Sequence, residues 1–150
     1  MIMQRKPPDN PVEIMPSLAG NRIKAFYFDW LNGACEPGTN EGTFGETVTS
    51  DVATLLAIME RVNLGKLVAE SKYQSMPEAF RETGGDREQM LQYIVRKDRE
   101  AAVRNLAGEL ANTYGLQSAA VVSVFDFMID TTVDIEVDYL RMRMGFDSVD

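Results

Sequence analysis

The sequence predicts a mainly α, single-domain helical bundle that closes on a long antiparallel helical hairpin. Three observations predict it. From residue 50 onward, apolar residues recur at steps of three and four. Capping residues and glycine stops punctuate that pattern. No residue between Gly115 and Gly145 is Gly or Pro, so that stretch has little turn chemistry for a strand pair. The competing architecture is α+β, with N-terminal and C-terminal strands forming a small sheet. A chain of 150 residues, 45% of them apolar, has room for one domain with a real core.

Residues 1–20 hold Pro7, Pro8, Pro11 and Pro16 and read as an extended N-terminal arm. The helical domain follows over residues 21–150. Asn21 to Leu31, "NRIKAFYFDWL", begins with a candidate cap and is followed by Asn32-Gly33 as a stop. Its "FYFDW" core also suits a strand. Residues 32–49 contain Gly33, Pro37, Gly38, Gly42 and Gly45 and read as a long loop.

Ser50 is then the expected cap of "DVATLLAIMERVNL". Val52, Leu55, Leu56, Met59 and Val62 share one face, and Gly65 closes the helix. "KLVAESKYQ" is a shorter helix. Ser75 caps a third, with Pro77 in its first turn and Gly84-Gly85 as its stop. Asp86 caps one long helix running to Gly115, with Leu91, Val95, Ala102, Leu106 and Leu110 as its stripe.

The last third is the ambiguous one. Val133 to Tyr139 alternates apolar and acidic residues as a half-buried strand does. A seam of Val121, Phe125, Met128, Thr132, Ile135, Tyr139, Met142 and Phe146 runs further, at steps of four and three. Thr132 is its one polar member. A second row (Val122, Ile129, Val133, Val137, Leu140 and Met144) flanks it. The longer pattern favours a helix that packs on more than one side. Such a helix also favours self-association, with a homodimer as the expected form.

Composition excludes several chemistries. Histidine is absent, which removes Ser-His-Asp and Cys-His catalysis and His-based metal sites. The lone Cys35 allows no intrachain disulfide and points to a reducing, cytoplasmic setting. The N-terminal residues lack the apolar core of a signal peptide. No apolar run reaches the roughly 18 residues a membrane span needs. A net charge of −8 disfavours direct contact with nucleic acid or an anionic membrane.

The acids then carry the functional expectation. Asp126, Asp130, Asp134 and Asp138 are each four apart and form one stripe on a helix. No Lys or Arg occurs between Lys24 and Arg61, an interval that holds Glu41 and Glu46. Together these predict a non-enzymatic adaptor or inhibitor that offers Asp126, Asp130, Asp134, Asp138, Glu41 and Glu46 to a basic protein partner, with imitation of nucleic acid as one way to do so. No cofactor is expected. One alternative is an all-α, Mg²⁺-dependent nucleotide pyrophosphohydrolase with Glu109, Asp126 and Asp130 holding the metal. Another is a helical protein that holds a small ligand near the aromatics of residues 26–30. Arg96, Lys97, Arg99 and Arg104, interleaved with Asp98 and Glu100, read as a mixed ion-pairing face able to dock the acidic stripe.

Overall fold

A computed structural model describes residues 18–35, 38, 42 and 44–146. Among these, the regular elements are all helices: α1 (Gly20–Ala34), α2 (Phe44–Asn63), α3 (Gly65–Ser75), α4 (Pro77–Glu82), α5 (Arg87–Ile94), α6 (Lys97–Thr113) and α7 (Ser118–Arg143). Both stretches that also fit strands, 21–31 and 131–139, are helical. The four-and-three seam therefore wins over the local alternation. Of the expected arm over residues 1–20, residues 1–17 lie outside the described residues, as does Glu41. Leu18 and Ala19 pack against the apolar clusters, and Gly20 already belongs to α1.

α7 is the spine. It packs against α1, α2, α3, α5 and α6. One apolar cluster joins Ala69 and Tyr73 of α3, Phe80 of α4, and Met90 and Ile94 of α5 to Val137, Tyr139 and Leu140 of α7. A second joins Ile23 of α1 and Ile58 and Val62 of α2 to Ile135. Helices of the same chain thus cover the middle of both apolar rows of α7, while Met142 and Phe146 at the far end of the seam stay exposed. α6 and α7 form the expected hairpin, and Gly115 turns the chain at φ 68°. No described helix is long and apolar enough to cross a membrane.

Several boundaries differ from expectation. α2 starts at Phe44, so Ser50 lies inside it and residues 44–49 are helix where loop was expected. Thr49 and Thr54 donate their hydroxyls to carbonyls four residues back, at 2.7 and 2.8 Å, which removes their competition with the helix. α1 begins after Ala19, not at an Asn21 cap, and runs to Ala34. Ser75 gives its hydroxyl to Lys72 O at 2.8 Å and leaves the cap position of α4 to Met76. Gly65 opens α3 and does not close α2. Asp86 does cap α5, accepting from Gln89 N at 2.9 Å. The long helix expected from Asp86 to Gly115 is broken at Val95 and Arg96. There the carbonyl of Ile94 accepts a hydrogen bond from Lys72 Nζ at 2.9 Å. A tertiary donor thus satisfies one of the open carbonyls of the α5 terminus.

Candidate functional site

Three rows of side chains at helical spacing face one another. On α3 and at its C-terminal cap they are Val68, Lys72 and Met76, each four apart. At the start of α6 they are Arg96, Arg99, Glu100 and Val103, and on α7 Met128, Thr132 and Glu136. With Arg61 from the last turn of α2, they line a cavity of about 390 Å³. Tyr93 and Ile94 of α5 and Phe125, Ile129 and Val133 of α7 supply much of its apolar wall. The break between α5 and α6 brings Arg96 and Arg99 to this cavity while leaving Ile94 O open to Lys72.

Glu136 is the buried carboxylate of the site, with 6% of its side chain exposed. Lys72 Nζ donates to Glu136 Oε2 at 3.1 Å and to Ile94 O at 2.9 Å, so two acceptors fix the ammonium. Burial pushes the Glu136 carboxyl above the usual glutamate range, and the attraction of Lys72 offsets this only in part. Thr132, one turn before Glu136, donates its hydroxyl to Met128 O at 2.6 Å.

The rim is cationic. Arg96 pairs with Asp98 at 3.5 Å, and Glu100 meets Arg104 at 4.0 Å. Arg61 and Arg99 make no ion pair among the described residues. Along the cavity wall Arg61, Lys72, Arg96 and Arg99 thus outnumber Glu100 and Glu136. A chain of net charge −8 has built a pocket with an excess of positive charge. Concave shape, apolar walls and a few convergent charges describe a small-molecule site, here one for an anion.

The expected acidic residues lie elsewhere. Asp134 accepts from Arg22 of α1 and Arg87 of α5 and ties both helices to α7. Burial alone would raise its carboxyl, but the two guanidiniums outweigh that and hold it below the usual range. Asp126 accepts from Arg104, a member of the mixed face expected to dock the stripe. Asp138 is half-buried, and burial, reinforced by Asp134, raises its carboxyl against the pull of Arg87, Arg141 and Arg22. Asp130 is exposed and adds to the field at Arg104. Glu46 lies exposed in the first turn of α2. Glu109 is exposed on α6, and no group of three or more acidic or cysteine side chains among the described residues could hold a metal. Of the aromatics of residues 26–30, Phe28 is exposed and the other three are engaged within the fold. Phe26 stacks on Phe127, Tyr27 donates to Asp51 at 2.6 Å, and Trp30 donates to Ala120 O at 3.0 Å.

Sequence reasoning missed Arg61, Lys72 and Glu136 as site residues. Their signal was a polar residue inside an apolar row: Lys72 between Val68 and Met76, and Glu136 one turn after the polar seam member Thr132.

The family model for chorismate mutase type II matches residues 45–137, a span that contains every charged residue of the cavity. A chorismate mutase of Trichoderma parareesei is 32% identical, over 83% of this chain and 56% of its own length. One of Emericella nidulans is 30% identical, over 76% of this chain and 48% of its own. The cytosolic chorismate mutase 2 of Zea mays is 24% identical, over 81% and 56%. The chain spans about half the length of these curated relatives. No solved structure matches it. The chain belongs to the chorismate mutase type II family. An enzyme family replaces the non-enzymatic adaptor or inhibitor expected from the acids, and with it the imitation of nucleic acid. The expectation failed because it weighed exposed charge, whereas the cavity is built from charges dispersed along the sequence.

Proposed function

We propose that this chain, as a member of the chorismate mutase type II family, rearranges chorismate in the cavity between α2, α3, α6 and α7. The observation that carries this reading is Lys72 Nζ held 3.1 Å from buried Glu136, in a pocket where cations outnumber carboxylates. Chorismate carries two carboxylates and an enol ether. Its rearrangement breaks the ether C–O bond and forms a C–C bond within the same molecule. Atoms balance with no external nucleophile or water.

Two tasks remain for the protein. One is to hold the reacting ends close together, which removes entropy from the barrier. Arg61 and Arg99 suit this, because planar guanidiniums without competing acceptors bind carboxylates bidentately. The other is to stabilise negative charge on the ether oxygen as the C–O bond lengthens. Lys72 and Glu136 suit this. Burial keeps Glu136 protonated to higher pH than an ordinary glutamate, and the protonated group donates a hydrogen bond. Lys72 then has donors to spare for the ether oxygen while Ile94 O anchors it. Met128, Ile129 and Val133 keep the surroundings apolar, which strengthens both donors.

The test is conversion of chorismate to prephenate by the purified chain, followed by loss of the ultraviolet absorbance of chorismate. Lys72→Ala is expected to lower kcat by about 10²–10³-fold, the usual effect of removing a donor from developing oxyanion charge. A folded wild-type chain that leaves chorismate unchanged would overturn the reading. A cytoplasmic location goes with this reading, supported by the free, exposed Cys35, which needs no oxidising compartment. Homodimerisation is a further proposal. Its support moves from α7 to exposed Val48, Val52 and Leu56, one row along α2, and light scattering in solution tests it.

A further inference from the structure

α3 opens with Gly65, which is buried against α7. A Cβ at this position would stand 2.9 Å from Thr132 Cγ2, 3.1 Å from Thr132 O and 3.4 Å from Glu136 Cγ. Among the described helical glycines, no other would bring a Cβ that close to the backbone of a neighbouring helix. Gly65 is not one of the glycines with positive φ, so its backbone does not demand glycine. Glycine is also a poorer helix former than alanine. What remains to explain it is the contact. Lys72 lies seven residues further along α3, two turns on and on the same face. A Cβ on Gly65 would meet Thr132 and Glu136, and Lys72 bonds Glu136. One seam between α3 and α7 holds both contacts.

We infer that Gly65 is a positioning residue: its missing side chain lets α3 close on α7 and sets the reach from Lys72 to Glu136. Thr132 Cγ2 is held in place because the Thr132 hydroxyl donates to Met128 O, and the Thr132 carbonyl belongs to the α7 backbone, so neither yields freely to an added methyl. Gly65→Ala therefore parts the two helices by a few tenths of an ångström and detunes the pair. The effect on turnover rests on the function proposed above; the effect on the seam does not.

The experiment compares Gly65→Ala, Thr132→Ser and their double variant with wild type and with Lys72→Ala. Gly65→Ala is expected to lower kcat about tenfold with little change in KM, since small misplacements in a pre-organised site are costly. The pH limb of kcat governed by Glu136 is expected to move as well. A smaller folded fraction would leave that limb in place. Thr132→Ser deletes the methyl that meets the new Cβ, so the double variant is expected to recover part of kcat. Normal kcat in Gly65→Ala, with Lys72→Ala inactive, overturns the inference and leaves the proposed function standing. An unmoved pH limb, or no recovery in the double variant, overturns it too. If Gly65→Ala alone fails to fold, a folded double variant supports the inference and an unfolded one overturns it. If wild type does not act on chorismate, the proposed function falls and the Thr132 methyl resonance decides: displacement by Gly65→Ala supports the inference, and an unchanged resonance overturns it.

Discussion

The two faces of α7 carry similar residues to opposite ends. Asp134 and Glu136 are two positions apart, about 200° around the helix. Asp134 meets two arginines at the protein surface, which hold its carboxyl ionised and fasten α1 and α5 to the spine. Glu136 is buried with a single lysine, and burial wins over that lysine. The aspartate face outnumbers the glutamate face in charge, yet the cavity lies on the glutamate side. Solvent-facing acids in a row are cheap to keep, whereas one buried carboxyl in an apolar wall needs a reason.

The sharpest way to break this comparison is to exchange Glu136. Glu136→Ala is expected to lower kcat by about 100-fold or more, because a donor to the ether oxygen is lost. Glu136→Gln keeps a permanent N–H donor, so its kcat stays well above that of the alanine variant. The wild-type rate should fall as pH rises through the raised Glu136 value, and the glutamine variant should lose that dependence. A kcat–pH profile of the three proteins checks both expectations. Stability carries the same sign. A carboxyl raised on folding contributes stability that is full below its unfolded value and is lost as pH rises through the folded one.

Asp134 has the opposite sign and a smaller effect. Its contribution is present above the ordinary aspartate value and is lost as pH falls through its depressed folded value. Asp134→Asn is expected to cost about 1 kcal/mol, since its arginine partners are nearly half exposed. In a chain of this size that lowers Tm by about 2–4 °C, measured by thermal melting, with kcat unchanged. Asp130→Lys should have the smallest effect: a stability change within about 0.5 kcal/mol and unaltered turnover. A large loss of activity in Asp130→Lys would return function to the acidic face.

What could be read from the sequence follows the range of the cause. α7 was legible because its seam continues past Tyr139, where the strand-like alternation stops. Asp86 and Pro77 were legible because caps act within one turn. The break after Ile94 was not, because its partner is Lys72, 22 residues earlier. The start of α2 was hidden because glycines and threonines that suit a loop are also accommodated in a helix when the hydroxyls bond back. The site was the least legible part. Arg61, Lys72, Arg99 and Glu136 come from four helices, and each alone reads as an ordinary surface charge. The aspartates stood out because they are neighbours along the chain, and the arginines that answer two of them, Arg22, Arg87 and Arg104, lie 22 to 112 residues away.

The central place of α7 also has a consequence for how the protein comes into being on the ribosome. α7 follows, in the order of synthesis, all five helices it joins. Until it emerges, neither apolar cluster has its closing residues, so Ile23, Val62, Phe80 and Met90 wait with incomplete cover. At about 5–20 residues per second, the 26 residues of α7 take seconds to be made. Through that interval the nascent chain is a client for holding chaperones and for proteases, and a message truncated before Ile135 would leave it there for good.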